Sequence, residues 1–400
     1  MKKVDISSLN PAKFIKLVPS RDQIIASNPA NPIPHQDTYA ANKIAKALHP
    51  DKQFVKIAKV EAFSPDVKRY TFVPDTDKGT TALAYFSAGQ YLSVSLTVGK
   101  AVLTRPYSIS SGPADALDGF YQLTIKRVNG GLATNYILDN WKEGDSVEVS
   151  APLGTFKYEP LRDAKTVVGL AGGSGITPFL SFARAIAKGE EDMHLTLLYG
   201  SRTRDDILFK YEFDQIAQSC DKVKIVYVLS ADSAENCESG FLTADLIKKY
   251  APEGEPYSVF MCGPQAMYDF ADGEIAKLGL RNKFVRHELF GEYHNPERNA
   301  DYTAPASETC TITVRVRDEK TSVTASVNDT ILVSLEKNGI AVPAHCRSGE
   351  CGWCHSKLVS GDVYVPASVD GRRLADFDYG YIHPCCTFPL SDVEIVVPAK

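Results

Sequence analysis

Long apolar runs are missing from this sequence, and so is the pattern of a secretory signal. No segment of the 400-residue chain approaches the roughly 18 consecutive apolar residues of a transmembrane helix, so we expect no membrane span. The two lysines after Met1 are followed by no apolar segment, which argues against a secretory signal. We therefore expect a cytoplasmic protein.

An excess of charge of one sign is also missing. The formal net charge is −5 at pH 7 and no basic block is present, so nucleic acid is not an expected partner. With 44% hydrophobic and 23% charged residues, the composition is typical of globular proteins, and the length predicts about two to four domains. No catalytic triad or paired-carboxylate pattern appears, so we nominate no general base. Nine cysteines without a secretory signal indicate a reducing compartment, in which thiols bind metals.

What the sequence does contain is a close group of cysteines near its C-terminus. The spacing C-x4-C-x2-C is formed by Cys346, Cys351 and Cys354. With one distant fourth cysteine, available as Cys385 or Cys386, this spacing indicates a plant-type [2Fe-2S] cluster. A zinc site would need a second close pair or two histidines, and a Rieske centre would need regular Cys/His pairs. Neither pattern is present near these cysteines.

The first 51 residues are the least informative part of the chain. Residues 28–36 are rich in proline and asparagine, as loops are, and residues 38–48 have helical spacing. Residues 1–51 are therefore interpreted as an N-terminal extension. Its role stays open between packing on its neighbour and docking a partner protein.

Four segments with different patterns of apolar, polar and turn residues follow. In residues 52–160, short alternating or β-branched stretches between turn residues predict an antiparallel β-barrel. In residues 161–293, apolar strands alternate with helical stretches, which predicts βαβ units on a parallel sheet. Residues 294–308 are polar and rich in turn formers, as a linker is. The last segment, 309–400, opens with two strands and an amphipathic helix that Gly339 is predicted to cap, and it carries the cysteine group.

Two motifs in the predicted barrel suit a phosphorylated aromatic cofactor. An arginine fork for phosphate, a flat tyrosine ring and a serine donor occur together at Arg105, Pro106, Tyr107 and Ser108. Small residues and a hydroxyl at a predicted helix start, where unpaired N–H groups bind anions, occur at Gly130, Gly131, Leu132, Ala133 and Thr134. Each motif alone is weak, but together they predict a cofactor site.

Two further motifs lie at strand ends of the predicted parallel sheet. A turn that lets a pyrophosphate approach the backbone is formed by Gly172, Gly173, Ser174, Gly175 and Thr177. Thr177 is predicted to cap the following helix and Pro178 to occupy its first position. The turn is neither a G-x-G-x-x-G fingerprint nor a P-loop. At the edge where nucleotides bind, another predicted strand is followed by Cys262, Gly263 and Pro264.

Taken in order, these motifs resemble the ferredoxin–NADP reductase superfamily. The chain is more closely similar to the phthalate dioxygenase reductase and phenylacetate-CoA epoxidase reductase type, which has its ferredoxin domain at the C-terminus. The resemblance covers roughly residues 52–400. It implies an antiparallel flavin-binding β-barrel, an α/β parallel-sheet NAD(P)H-binding domain and an α+β ferredoxin domain of the β-grasp type.

The resemblance also implies roles for individual residues. Arg105, Tyr107 and Ser108 would hold the flavin, with Ser108 near its reactive N5. The segment from Gly131 to Thr134 would bind the flavin pyrophosphate. The segment from Gly172 to Thr177 would bind the pyrophosphate of NAD(P)H.

Near the reacting rings, the resemblance places Cys262 beside the nicotinamide. It matches Glu288 and Phe290 to the segment that often meets the flavin ring, with Phe290 as a plain core residue the alternative. It also aligns Cys385 as the fourth cluster ligand, with Cys386 as its neighbour.

The identities of the nucleotide and the flavin stay open in part. Ser201 and Arg202 follow the second strand of the predicted parallel sheet, where Arg202 would be placed to bind a 2′-phosphate. Asp232, after the next strand, would repel that phosphate, so we expect NADH rather than NADPH. FAD is the commoner flavin of the superfamily, and FMN, which the phthalate type uses, is the alternative.

The implied function is that of an electron-transfer reductase, in which NADH reduces the flavin, the flavin reduces the cluster and the cluster reduces a protein acceptor. Oxygenases, hydroxylases and other redox enzymes are all candidate acceptors. One alternative is a regulatory or redox-sensing subunit of a larger complex. The flavin subunit of a sodium-pumping quinone reductase is disfavoured, because its domain order is reversed and it has a membrane anchor.

Overall fold

The computed structural model describes residues 23, 24, 27, 39–289, 291–317 and 319–398. The chain divides into two compact units, Met1–Leu48 and His49–Lys400. In the first unit, helix α1 (Ala40–Leu48) confirms the helical pattern predicted there. Within the described part of the chain, no helix has the length and apolar character needed to cross a membrane.

A six-stranded antiparallel sheet opens the second unit. Its strands are β1 (Lys52–Ser64), β2 (Val67–Pro74), β3 (Tyr91–Val98), β4 (Ala101–Ser108), β5 (Tyr121–Lys126) and β6 (Ser146–Ser150), in the order β4-β3-β6-β1-β2-β5. Ile109, just after β4, bridges to Leu123 of β5, so the two edge strands meet. The sheet therefore curls around a core that includes fully buried Tyr70 and Phe72, which confirms the predicted barrel. Two helices accompany it, α2 (Pro113–Leu117) and α3 (Leu132–Asn140).

The next sheet is parallel throughout. Its strands are β7 (Thr166–Gly172), β8 (His194–Ser201), β9 (Val223–Leu229), β10 (Cys237–Ser239), β11 (Tyr257–Cys262) and β12 (Val285–Glu288), in the order β10-β9-β8-β7-β11-β12. Its helices are α4 (Thr177–Ala187), α5 (Lys210–Ser219), α6 (Ala244–Tyr250) and α7 (Gln265–Ala276). The strand order reverses between β7 and β11, and a crevice at the carboxyl ends of such strands is where parallel sheets bind ligands. The predicted α/β fold is confirmed.

The C-terminal sheet is mixed. Its strands are β13 (Thr309–Val316), β14 (Glu319–Ser326), β15 (Ser356–Ser360), β17 (Tyr381–Ile382) and β19 (Val393–Val397), in the order β14-β13-β19-β15-β17. A separate pair joins β16 (Val363–Tyr364) to β18 (Phe388–Pro389). Helix α8 (Ile331–Lys337) is followed by Gly339 with φ +76°, which confirms the predicted left-handed cap, and α9 (Leu374–Asp378) lies nearer the C-terminus. This is the α+β architecture expected of a ferredoxin domain.

Ion pairs join the barrel to the parallel-sheet domain. The carboxylate of Glu212 on α5 accepts hydrogen bonds from Arg69 of β2 at 2.7 Å and from Arg184 of α4 at 2.5 Å. Arg184 also donates to the carbonyl of Ser110 at 3.1 Å and to the side chain of Gln122 at 2.8 Å, both in the barrel domain. Glu212 therefore joins the two sheets through two arginines.

Candidate active site

The glycine-rich turn and the Cys262–Gly263–Pro264 motif meet at the reversal point of the parallel sheet. A Cβ atom on Gly175 would lie 2.2 Å from the carbonyl oxygen of Cys262. On Gly172 or Gly263, it would lie 2.5 Å from the sulfur of Met267. Real Cβ atoms cannot approach so closely, and because the Cys262 carbonyl is backbone, glycine is required at position 175, where the two predicted motifs pack together. At positions 172 and 263, a side chain would require the flexible Met267 side chain to move.

The turn differs from the prediction in how it enters helix α4. Thr177 is the first helical residue and Pro178 the second, so the prediction of Thr177 as the cap was wrong. A short 3-10 turn, Gly173–Ile176, replaces the expected cap, and the Thr177 hydroxyl donates to the Ser174 carbonyl at 3.0 Å. Apart from its chain neighbours, no described residue has a heavy atom within 4 Å of the Cβ position of Gly173, whose φ is +53°. That open side fits a pyrophosphate against the backbone.

Cys262 and Glu288 are neighbours at the ends of strands β11 and β12, where they are register partners. Ser108 ends β4 and pairs in register with Tyr91 of β3. Burial raises the pKa of Tyr91, and negative charge on Cys346 and Glu288 adds to the effect. Tyr91 is therefore close enough to feel the charges of both the crevice and the cysteine loop, which we define as residues 346–354.

The crevice favours uncharged side chains. Burial, and to a lesser extent the charge of Glu350, raises the pKa of Glu288 well above its usual range. Burial and then the charge of Glu288 do the same for the pKa of Cys262. Burial thus disfavours the charged forms of both the carboxyl group and the thiol. The hydroxyl of Ser108 is buried and has no hydrogen-bond partner among the described residues, which fits a donor to a flavin ring nitrogen.

The second predicted anion site lies at the start of helix α3. Gly131 is the residue before the helix and Gly130 has φ +73°. The Thr134 hydroxyl accepts a hydrogen bond from the backbone N–H of Val128 at 3.1 Å, so it stabilises this turn. Leu132 is exposed and Ala133 is buried. The arrangement leaves the N–H groups of the first helical turn available for an anion.

Arg105 is already engaged by carboxylates. Its Nη1 donates to a Glu336 oxygen at 3.2 Å and to the Thr104 carbonyl at 2.8 Å, and its Nη2 lies 3.1 Å from a Glu292 oxygen. These contacts occupy the two ends of the guanidinium that the sequence assigned to phosphate. Beside it, Pro106 is buried and Tyr107 packs half-buried against the barrel core.

Three of the four predicted cluster ligands are buried and one is exposed. The buried ones are Cys346, Cys354 and Cys385, and the exposed one is Cys351. The Cys346 sulfur accepts hydrogen bonds from the backbone N–H groups of Cys351 at 3.3 Å and of Ser348 at 3.5 Å. The Cys385 thiol contacts the Cys346 thiol. The buried hydroxyl of Ser348 has no partner among the described residues, which leaves it available to donate to a cluster sulfur.

Within the described residues, no three Cys, His, Asp or Glu side chains form a group able to hold a single metal ion. A [2Fe-2S] cluster divides four thiolates between two irons, so its ligands need not converge on one point. Cys386 contacts Cys385, donates to the His383 carbonyl at 3.5 Å and lies 3.0 Å from the Cβ position of Gly349. The contact of Cys385 with Cys346 favours Cys385 as the fourth ligand.

The ends of strands β8 and β9 lie side by side. The N–H of Ser230 donates to the Ser201 carbonyl at 3.0 Å, and that of Ala231 donates to the Arg202 carbonyl at 2.9 Å. Ser201 is buried, whereas Arg202 and Asp232 are exposed. The structure thus brings the two residues predicted to discriminate between nucleotides to one edge.

Some residues near these sites were not found by sequence reasoning. At the same edge of the parallel sheet, the exposed rings of Phe241 and Phe270 lie 5.7 Å apart. The carboxylates of Glu292 and Glu336 bind both Arg105 and Arg347. These residues come from separate segments, so no local spacing indicates them. Phe290 lies outside the described residues.

A barrel with a flavin-type motif, a nucleotide crevice and a ferredoxin-like cysteine loop together define a flavin-dependent reductase with its own iron–sulfur domain. Family profiles match three parts of the chain: an oxidoreductase FAD-binding domain at 54–158, an oxidoreductase NAD-binding domain at 170–273 and a 2Fe-2S iron-sulfur cluster binding domain at 314–390. The chain belongs to the ferredoxin–NADP reductase superfamily, as a phthalate dioxygenase reductase-like protein with a C-terminal [2Fe-2S] domain. It is thus an NAD(P)H-dependent flavin and iron–sulfur reductase.

Individual relatives agree with this assignment. The chain is 28% identical to the glycine betaine monooxygenase reductase subunit of Pseudomonas aeruginosa, over 86% of this chain and 95% of that one. It is 35% identical to NADH-cytochrome b5 reductase 1 of Dictyostelium discoideum, over 49% of this chain and 68% of that one. The solved structure of phthalate dioxygenase reductase superimposes with a TM-score of 0.63 at 27% identity, covering 87% of this chain and 98% of that one.

Proposed function

We propose that this reductase takes electrons from NADH and delivers them to a protein acceptor of the oxygenase type. The observation that carries the proposal is the exposure of Cys351, while the other three proposed ligands are buried. A cluster held by these thiolates would have one accessible edge, at which an acceptor protein can approach. The names of the glycine betaine monooxygenase and phthalate dioxygenase reductases support an oxygenase as the acceptor.

The proposed residue roles follow the geometry. In the barrel domain, the flavin is assigned to Arg105, Pro106, Tyr107, Ser108 and Gly130 to Thr134, with Arg105 sharing its guanidinium between the flavin and the carboxylates of Glu292 and Glu336. The pyrophosphate of NADH lies on Gly172 to Thr177, with the nicotinamide near Cys262 to Pro264. The cluster is held by Cys346, Cys351, Cys354 and Cys385. Ser108, Cys262 and Glu288 are the proposed catalytic residues, since all three are buried at the strand ends where the two rings would react.

The nucleotide preference rests on the edge formed by β8 and β9. Ser201 and Arg202 are proposed to lie near the adenosine ribose, and the exposed carboxylate of Asp232 disfavours an added 2′-phosphate. The Phe241 and Phe270 rings offer a stacking surface for the adenine, because each exposes a flat apolar face at this edge.

The test is anaerobic reduction by NADH and by NADPH, followed by visible absorbance and by EPR of frozen samples. We expect loss of the flavin band, a reduced [2Fe-2S] signal and faster reduction by NADH. Cys385→Ser should abolish the cluster signal, whereas Cys386→Ser, which changes the neighbouring thiol, should keep it. Flavin reduction with a cluster that only dithionite reduces would contradict electron transfer through the chain. A signal lost in Cys386→Ser alone would reassign the fourth ligand.

A further inference from the structure

Four charged side chains form a continuous ion network between the barrel and the cysteine loop. Arg347 Nη1 donates to Glu336 at 2.7 Å, and Arg347 Nη2 pairs with Glu292. Arg105 Nη1 lies 3.2 Å from Glu336, and Arg105 Nη2 lies 3.1 Å from Glu292. Each carboxylate therefore binds both arginines. One arginine belongs to the β4 strand of the barrel and the other follows the first proposed cluster ligand, Cys346.

The network is buried at its centre. The side chain of Arg347 is 0% exposed and that of Glu336 is 5% exposed. Two positive and two negative charges balance, which is how charges can remain away from water. Arg347 also has a left-handed backbone, with φ +62°, in which a non-glycine residue must be held by its surroundings.

The neighbouring backbone shows that this contact is close. A Cβ atom on Gly339, at the end of helix α8, would lie 2.9 Å from the carbonyl oxygen of Lys100 in the β3–β4 turn. Helix α8 therefore lies directly against the barrel strand that carries the proposed flavin motif. Glu336, on the same helix, extends that contact from the barrel to the cysteine loop.

We propose that Glu336 is a positioning residue for electron transfer, because its buried carboxylate ties Arg347 of the cysteine loop to Arg105 of the flavin barrel. The inference rests on the proposed flavin and cluster sites, and it adds that Glu336 sets the distance between them. The residue touches neither cofactor and acts through the two arginines. Glu292, which is more exposed, supports the same tie from the segment between the parallel and mixed sheets.

The test uses the complete reductase and the variant Glu336→Gln, which keeps the side-chain shape and removes the charge. Glu394→Gln is the matched control, because Glu394 also binds two cations, Arg315 at 2.7 Å and Lys320 at 3.0 Å, in the same domain but outside this network. Flavin reduction by NADH and cluster reduction are followed separately in anaerobic rapid mixing. The cluster midpoint potential is determined by EPR titration.

We expect Glu336→Gln to slow cluster reduction by the flavin at least about tenfold, since small displacements of reacting partners cost large factors in rate. Flavin reduction by NADH should be slowed less than cluster reduction, because Arg105 keeps its contact with Glu292 in this variant. The cluster midpoint potential should rise, because an unbalanced Arg347 charge favours the reduced, more negative cluster. Glu394→Gln should reproduce neither effect.

Several results would overturn the proposal. One is an unchanged rate of cluster reduction together with an unchanged cluster midpoint potential in Glu336→Gln. Another is an equal change of rate and potential in Glu394→Gln. If Glu336→Gln fails to retain the cluster, Glu292→Gln tests the same tie, and wild-type behaviour in that variant would also count against it. Failure of the wild-type protein to reduce its cluster with NADH would instead refute the proposed function, so the two failures are distinguishable.

Discussion

The carboxyl group of Glu288 lies where its ionised form is disfavoured. It is buried at the end of β12, and its pKa is raised first by burial and then by the charge of Glu350. Below the pKa of an exposed glutamate, roughly 4.3, folded and unfolded chains are both protonated at this residue. As the pH rises further, the unfolded chain ionises first, so the penalty that Glu288 imposes on the folded state grows with pH and stays at its full value above its own raised pKa.

Glu288→Gln should therefore stabilise the protein more at about pH 8 than at about pH 5. The measurement is the free energy of unfolding of variant and wild type by denaturant at both pH values. Glu394→Gln is the comparison, because the pKa of Glu394 is shifted in the opposite direction: hydrogen bonding to Lys320 lowers it. That variant should lose the same stability at both pH values, since both lie above the pKa of an exposed glutamate. An equal effect of Glu288→Gln at both pH values would mean that Glu288 ionises normally.

At the scale of elements, the entry from β7 to α4 depends on the absence of side chains. Gly175→Ala would place a methyl group 2.2 Å from the Cys262 carbonyl, so the turn or strand β11 must move. We expect a loss of about 1–3 kcal/mol in the free energy of unfolding, as for overpacked sites. We also expect weaker NADH binding, measured by titration calorimetry of the oxidised protein.

The matched control is Gly273→Ala in helix α7. This glycine is exposed, lies inside a regular helix and, apart from its own helix backbone, has no described atom within 4 Å of its Cβ position. Alanine should stabilise the helix there by about 0.5–1 kcal/mol and leave NADH binding unchanged. If Gly175→Ala behaved like Gly273→Ala, the close approach of turn and strand would not matter for the site.

Most elements could be predicted from sequence because their signals are local. Alternating strands, βαβ rhythm and the Gly339 cap each depend on neighbouring residues. The cysteine spacing likewise indicated a loop that the structure folds with Cys346 against Cys385. The entry to α4 was predicted incorrectly, because a 3-10 turn moved Thr177 into the helix.

The ion network could not be predicted in the same way. Arg105, Glu292, Glu336 and Arg347 belong to four separate segments, and only the packing of α8 against the barrel brings them together. Arg105 could be read from its motif as a phosphate ligand. Its two carboxylate partners become visible only in three dimensions.

At the scale of the whole molecule, ion contacts tie the barrel to both of its neighbours. Glu336 and Glu292 tie it to the cysteine loop, and Glu212 ties it to the parallel-sheet domain through Arg69 and Arg184. The barrel thus contacts both the domain that forms the nucleotide crevice and the domain that carries the cluster ligands. Each contact should therefore control a different step of electron transfer.

Glu212→Gln is expected to slow the first step. Its side chain is 24% exposed and its oxygens accept from Arg69 and Arg184, so loss of its charge weakens the contact between barrel and crevice. We expect the free energy of unfolding to fall by about 1.5–3 kcal/mol, typical of hydrogen bonds to charged groups. Flavin reduction by NADH should slow, while reduction of the cluster by an already reduced flavin stays at the wild-type rate.

Glu238→Gln is the comparison for this variant, because Glu238 binds Lys249 at 2.6 Å within the parallel-sheet domain and makes no ion pair with the barrel among the described residues. Anaerobic rapid mixing with NADH separates the two steps in both variants. Slower flavin reduction in Glu212→Gln alone would show that the Glu212 contact aligns the nucleotide with the flavin. If stability fell but both steps kept their wild-type rates, Glu212 would stabilise the interface without aligning the rings, and control of hydride transfer would lie within the crevice itself.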